Sequence, residues 1–245
     1  MKTVLLMLAI LLSGAPQTAF SLPKTSPAPA SYQPKAYTAT YQVFRNGSAL
    51  GNATVKLSAA GNSRWELSSD TIGTGIAAIA GVEIVERSVL RWNGGRPETM
   101  DYSFNQKAGF KNKQRSIRVN AQSNIIDSRD REKSYTLKYQ PGVLDRHAVT
   151  VAVMQDLAQG KSGDLLYSVA DRDELQTHAY RVVGNEKMQT ALGPLNSIKV
   201  QRIRQNSNGR VTTLWLAADR QFVPLRIEQK ESDGDTIEMR ITSLR

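Results

Sequence analysis

The chain has two histidines, His147 and His178, and no cysteine, so few of its residues could act as nucleophiles, bases or metal ligands. Without cysteine there is no disulfide, no thiol catalysis and no thiolate metal site. Asp145-Arg146-His147 sets an acid, a cation and an imidazole side by side. That trio fits either an acid–base cluster at a helix N-terminus or a plain Asp145 cap with exposed neighbours, and the cap is the stronger reading because an apolar helical pattern follows at once. His178 lies in "LQTHAYRV", on a strand, and two scattered histidines do not build a metal site. HExxH, CxxC and acidic calcium-loop patterns are absent, as is the GxSxG of a nucleophile elbow. The "GTG" at 73–75 lacks the strand-to-helix setting of a phosphate loop. Glycoside hydrolysis needs two carboxylates roughly 5–10 Å apart across a cleft. The acidic groups Glu66, Asp70, Glu83, Glu86 and Asp171, Asp173, Glu174 are candidates, but acids in such numbers are ordinary surface content. The residues argue against an enzyme and call for no cofactor and no metal.

What remains is binding chemistry. In "KAGFKNKQRSIRV", Lys111, Lys113 and Arg115 share one strand face, with Lys107 and Arg118 close by. This is a basic ridge able to hold phosphate or carboxylate, or else a solvated strand face. Arg202, Arg204, Arg210 and Arg226 offer a second patch of unknown mutual placement. Ala49, Gly51 and Ala53 put small residues on the buried face of one strand, leaving room for a ligand or for neighbours such as Trp65 and Tyr41. The uncharged stretch "IGTGIAAIAGV", residues 72–82, is a connection, and connections are usually polar. Ile76, Ala77, Ile79 and Ala80 make one helical turn. A core plug is preferred there to a lid hinged on Gly73, Gly75 and Gly81, and the acidic flanks Asp70 and Glu83 argue against a membrane contact.

The elements that must hold these residues are mostly strands. "YTATYQVF" alternates, Asn46-Gly47 gives a hairpin turn, and similar runs recur to "TIEMRIT" at the end. About a dozen strands with turn signals every ten or so residues predict an all-β domain: a strongly curved antiparallel sheet, closed or half-open. One helix is predicted near 145–160, from Asp145 to Gly160, with Val149, Val153, Met154 and Leu157 as an apolar stripe and Asp156 at its edge. Ahead of the domain, Val4 to Leu12 follows Lys2 as an apolar run ending in small residues, the pattern of a signal peptide over 1–21. A proline-rich tether covers 22–35, and one domain spans 36–245. No stretch reaches the roughly 20 apolar residues of a transmembrane helix. The formal net charge is +10, which favours anionic partners; export makes nucleic acid the least suitable of them.

The phrases "YQVFRNGSALG", "PGVLDRHAV", "TALGPLNSIKVQRI" and "TTLWLAADRQFVPLRIEQ" together resemble an exported proteobacterial family, the domain-of-unknown-function family numbered 3108. The resemblance spans roughly Ala36 to Ser243 and implies an all-β periplasmic protein, with no activity to carry to any residue. A looser likeness, at the level of fold, is to the half-barrels of periplasmic lipoprotein carriers. The expectation is a periplasmic, non-enzymatic binding protein for an amphipathic ligand, with an acyl chain inside the sheet and an anionic head on basic residues. The ligand set is then Ala49, Gly51, Ala53, Ile76, Ile79, Lys111, Lys113 and Arg115, and the partner an anionic lipid. The alternatives are an envelope interaction module holding acidic polysaccharide or protein on its basic face, and an enzyme acting on envelope glycans.

Overall fold

The computed structural model describes residues 34–93, 95–204 and 209–245, with Lys111 described by its backbone alone. The expected signal peptide over 1–21 and nearly all of the expected tether over 22–35 lie outside those residues. Fourteen strands form one antiparallel meander. The first half holds β1 (Tyr37–Arg45), β2 (Ser48–Ala59), β3 (Arg64–Gly73), β4 (Glu83–Asn93), β5 (Arg96–Ala108), β6 (Lys111–Asn120), β7 (Ile125–Asp130) and β8 (Lys133–Lys138). The second holds β9 (Asp164–Asp171), β10 (Glu174–Thr190), β11 (Gly193–Ile203), β12 (Val211–Ala217), β13 (Pro224–Lys230) and β14 (Thr236–Leu244). A four-residue helix α1 (Ile76–Ile79) joins β3 to β4, and α2 (Val149–Ala158) joins β8 to β9. Because β1 pairs with β14, the two halves meet in mid-sheet and the free edges are β8 and β9. The expected curved, half-open antiparallel sheet is what forms.

Alternation decides which residues face inward. Tyr37, Ala39, Tyr41 and Val43 of β1 are all buried, and the Tyr41 hydroxyl donates to the Pro224 carbonyl at 2.9 Å across the interior. Asn46 and Gly47 take φ of 51° and 80°, the left-handed pair a tight hairpin requires. The register then breaks: Val43 faces Gly51 but Phe44 faces Ala49. Leu50 is the extra residue of a β-bulge, and a one-residue shift exchanges faces. Ala49 is therefore turned off the inner face onto an exposed position, against the expectation that it lines the interior with Gly51 and Ala53.

The hollow of the sheet is filled by α2. Its residues Val149 and Val151 to Leu157 are all buried, a helix apolar nearly all round rather than striped. Asp156, expected at the rim of the stripe, is 3% exposed. It is buried because three donors reach it: Lys161 Nζ at 2.6 Å, the Tyr167 hydroxyl at 2.9 Å and Arg96 at 3.2 Å. Gly160 ends the helix at φ 75°, its N–H bonded to the Leu157 carbonyl and that of Lys161 to Asp156, the paired closure a left-handed glycine permits.

The open seam is partly stitched. Leu144 bridges Val169 in parallel, covering the edge of β9, and the Val143 carbonyl accepts from the Thr99 N–H at 2.9 Å on the other side. Beyond a bulge at Val182–Gly184, the far half of the β10–β11 hairpin folds over the outer face. There Glu186 accepts from the Trp215 indole N–H. That explains why Thr213 to Ala217 are buried without alternation.

The segment 72–82 is not a core plug. Only Ala77 of α1 is buried, while Ile76 and Ile79 are 86% and 89% exposed. Two glycines hold this arrangement. A Cβ on Gly51 would stand 2.4 Å from the Ile72 carbonyl oxygen, and one on Gly73 would stand 2.9 Å from the Ala77 Cβ. Backbones approach too closely there for any side chain, so α1 seats its alanine inward and turns its isoleucines to water.

Candidate functional site

Three polar clusters and one apolar tip could carry function. The first is built on Asp145, which is fully buried. Its Oδ1 accepts the N–H groups of His147 and Ala148 at 2.8 and 2.9 Å and the Ser88 hydroxyl at 3.0 Å, while Oδ2 accepts the Thr99 hydroxyl at 2.8 Å. Asp145 closes the turn that leads into α2 rather than capping the helix itself, which starts at Val149 with Ala148 as its N-cap, and its neighbours Arg146 and His147 are half-buried rather than exposed. Burial pushes its pKa up, against the pull of His147 and these hydrogen bonds. Ser88, Asp145 and His147 do meet, but not as a catalytic relay. The His147 ring touches Ser88 through Nδ1 at 3.1 Å, Asp145 bonds the serine rather than the ring, and Ser88 has no exposure to substrate.

Beside it, Glu86 accepts from the Tyr102 hydroxyl at 2.6 Å and from Arg146 Nε at 3.2 Å, and Arg146 lies 4.4 Å over the Phe104 ring. Burial works to raise the Glu86 pKa, but the charges of His147 and Arg146 outweigh it and hold the carboxyl below its usual range. The other acids of this group pair elsewhere, Asp70 with Arg87 at 2.8 Å and Glu83 with Lys107 at 3.2 Å. Glu86 faces the interior and those two face outward, so these three carboxylates do not face one another across a cleft. Among the described residues no cluster of metal-ligating side chains forms.

The expected basic ridge is largely neutralised. Lys113 and Arg115 do share the inner face, but Arg115 is committed to Asp130 and to Asp171 of β9, each at 3.3 Å. It acts as a tie across the seam, which the sequence could not show because Asp171 is brought beside it only by the curvature of the sheet. Nor does the predicted ligand set converge. Ala53 packs against Tyr41 as its cross-strand partner, and Lys113 lies on its row but with β3, β4 and β5 between them.

The second basic patch resolves differently for each member. Arg210 pairs with Glu231 at 2.6 Å, and Arg226 pairs with Glu238 and Glu228 and stacks 4.6 Å from the Trp215 ring. Arg204 donates to the Thr212 hydroxyl at 2.9 Å. Arg202 has no hydrogen-bond or ion-pair partner among the described residues, although its Nε is shut from water. It faces Tyr180 on β10 and Thr212 on β12. Next to it is His178, 4% exposed, whose Nδ1 is likewise unpartnered. Burial, then the charges of Arg202 and Arg204, push the His178 pKa down to about 3. Burial and the neighbouring Arg202 bring Arg204 down to about 10. Two guanidiniums and a neutral imidazole thus stand together without a carboxylate among their hydrogen-bond partners.

On the outer face, β4 to β8 form a cleft of about 520 Å³ whose lining includes Arg87, Ser103, Ser116, Arg118, Arg129 and Ser134.

These features define a strongly curved, helix-filled antiparallel half-barrel. The chain belongs to the family described as protein of unknown function DUF3108, whose model matches residues 36–242. No curated protein matches it. Among solved structures it is similar to a β-barrel-like DUF1849 protein from Brucella abortus, with a TM-score of 0.54 at 9% identity, covering 85% of this chain and 96% of that one. The MucA/MucB complex of Pseudomonas aeruginosa aligns at 16% identity and a TM-score of 0.36, over 86% of this chain and 51% of that one. A lipoprotein from Parabacteroides distasonis aligns at 9% identity and 0.37, over 87% and 96%. At such identities the likeness is one of fold alone, and only the first score carries it.

Proposed function

We propose that the chain is a non-enzymatic binding module of the cell envelope, exported by the leader at residues 1–21, that receives the anionic group of an amphipathic ligand at Arg202 and Arg204. The partnerless Arg202 carries this reading. Buried charges elsewhere in the molecule are held by two or more partners, as at Asp145, Asp156 and Glu238, which is the general rule for buried polar groups. The Arg202 Nε breaks that rule, and a phosphate or carboxylate supplies the acceptor it lacks. This site replaces the ridge at Lys111, Lys113 and Arg115 as the place for the anionic head.

The test is titration with a fluorescent long-chain fatty acid and, separately, with inorganic phosphate, following the His178 imidazole by NMR. Saturable binding should weaken roughly tenfold or more in Arg202→Ala, since hydrogen bonds to charged groups are worth about 1.5–3 kcal/mol. An anion near the two arginines also offsets their push on His178, so its pKa should climb from about 3 toward 6.5 on binding. Phosphate binding with no gain from an acyl chain identifies a free anion as the ligand. If the folded protein binds neither probe, or Arg202→Ala binds as wild type, the reading is wrong.

A further inference from the structure

We propose that the tip formed by α1 and the β5–β6 turn docks the protein on an anionic phospholipid membrane surface. The observation is independent of the Arg202 site. Ile76 and Ile79 lie three residues apart, on one side of their helical turn, and are 86% and 89% exposed. The β5–β6 turn is fastened beside them by the Gly109 N–H donating to the Ala80 carbonyl at 2.6 Å, and at that turn Phe110 is as exposed as a phenylalanine can be, at 108%. Ile72, at the end of β3, adds a fourth apolar side chain at 64%. Single exposed apolar residues need no explanation, but several gathered at one point mark a contact surface.

The form of the tip selects the partner. Gly75, Gly81 and Gly109 hold φ of 54°, 61° and 58°, and a Cβ on any of them would meet nothing within 4 Å. The tip is thus a set of tight turns projecting into open space, which suits insertion into a fluid interface. Charge suits an anionic one. The acids at its base, Asp70 and Glu83, are neutralised by Arg87 and Lys107, and Lys111 follows Phe110 directly in the sequence, in a chain of net charge +10. Apolar side chains at headgroup depth with basic residues around them are what surface-bound proteins use, and neither part alone binds strongly.

The experiment is co-sedimentation of the full protein with vesicles of phosphatidylcholine alone and of phosphatidylcholine with phosphatidylglycerol. Binding to the anionic vesicles is expected, weakening as salt rises. The double variant Ile76→Asp/Ile79→Asp should lose about tenfold or more in vesicle affinity while keeping the wild-type circular dichroism, because both side chains already stand in water. In Phe110→Trp, the new indole should shift its emission to the blue on adding anionic vesicles. Three outcomes overturn the proposal: no vesicle binding by the wild type, wild-type binding by the aspartate variant, or no blue shift at position 110. Loss of self-association or of a protein partner in the aspartate variant, with vesicle binding absent throughout, assigns the tip to a protein instead. None of these outcomes depends on Arg202, so failure here leaves the anion site standing and the reverse is equally true.

Discussion

At the scale of the residue, Asp145 shows how a local signal conceals a tertiary role. A cap accepts backbone N–H groups on one side-chain oxygen and costs about 1 kcal/mol to remove. Here the same carboxylate also satisfies Ser88 and Thr99 from two other strands, in a place without water. Asp145→Ala leaves those hydroxyls and two N–H groups unsatisfied, so it should destabilise by about 3 kcal/mol or more. Urea unfolding measures this, and a loss near 1 kcal/mol reduces Asp145 to a simple cap. The turn-closing role was legible because Asp before an apolar helical pattern is a chain-local statement. The strand partners were not, since Ser88 and Thr99 lie far away in sequence. Arg202 makes the same point in reverse: its lack of a partner depends on Tyr180 and Thr212 being the residues that pairing sets opposite it.

At the scale of the element, periodicity located the strands and the long helix, and bulges redistributed their faces. The sequence "SALGNATVKL" alternates apart from Leu50, and the bulge at Leu50 sends Ala49 outward while Gly51 and Ala53 stay in. Gly51 is small because β3 lies against it, not because a ligand does. Gly51→Ala should therefore destabilise the fold by roughly 1–3 kcal/mol through overpacking, read as a lower thermal or urea midpoint. Neutral behaviour would mean that the Ile72 carbonyl yields easily. The α2 helix differs from its sequence pattern for a related reason. A stripe of apolar residues indicates one buried side, but a helix inside a curved sheet is enclosed on nearly every side, and Asp156 follows it inward because Lys161, Tyr167 and Arg96 converge there.

At the scale of the whole molecule, the two halves of the meander join in mid-sheet through β1 and β14, and both contribute to the core around α2. Arg115–Asp171 and the Leu144 bridge tie the two free edges across the seam. Such a body should unfold as one unit. The fluorescence of Trp65, Trp92 and Trp215, which lie in different halves, should change at the same urea concentration as far-ultraviolet circular dichroism. Separate midpoints would show that the halves are independent.

What the sequence determined by itself is what depends on neighbours along the chain: strand alternation, the Asn46-Gly47 turn, the C-terminal end of α2 at Gly160, the basic charge and the lack of catalytic motifs. The tertiary structure alone decided which charges are neutralised, which small residues are crowded, and that the apolar stretch 72–82 faces water. The physical reason is that these properties belong to pairs of surfaces. Curvature carries Asp171 to Arg115 and leaves the Arg202 Nε without a hydrogen-bond partner, and the close approach at Gly51 and Gly73 turns Ile76 and Ile79 outward. Composition marks that stretch as apolar; only the packing beneath it shows that it is a tip.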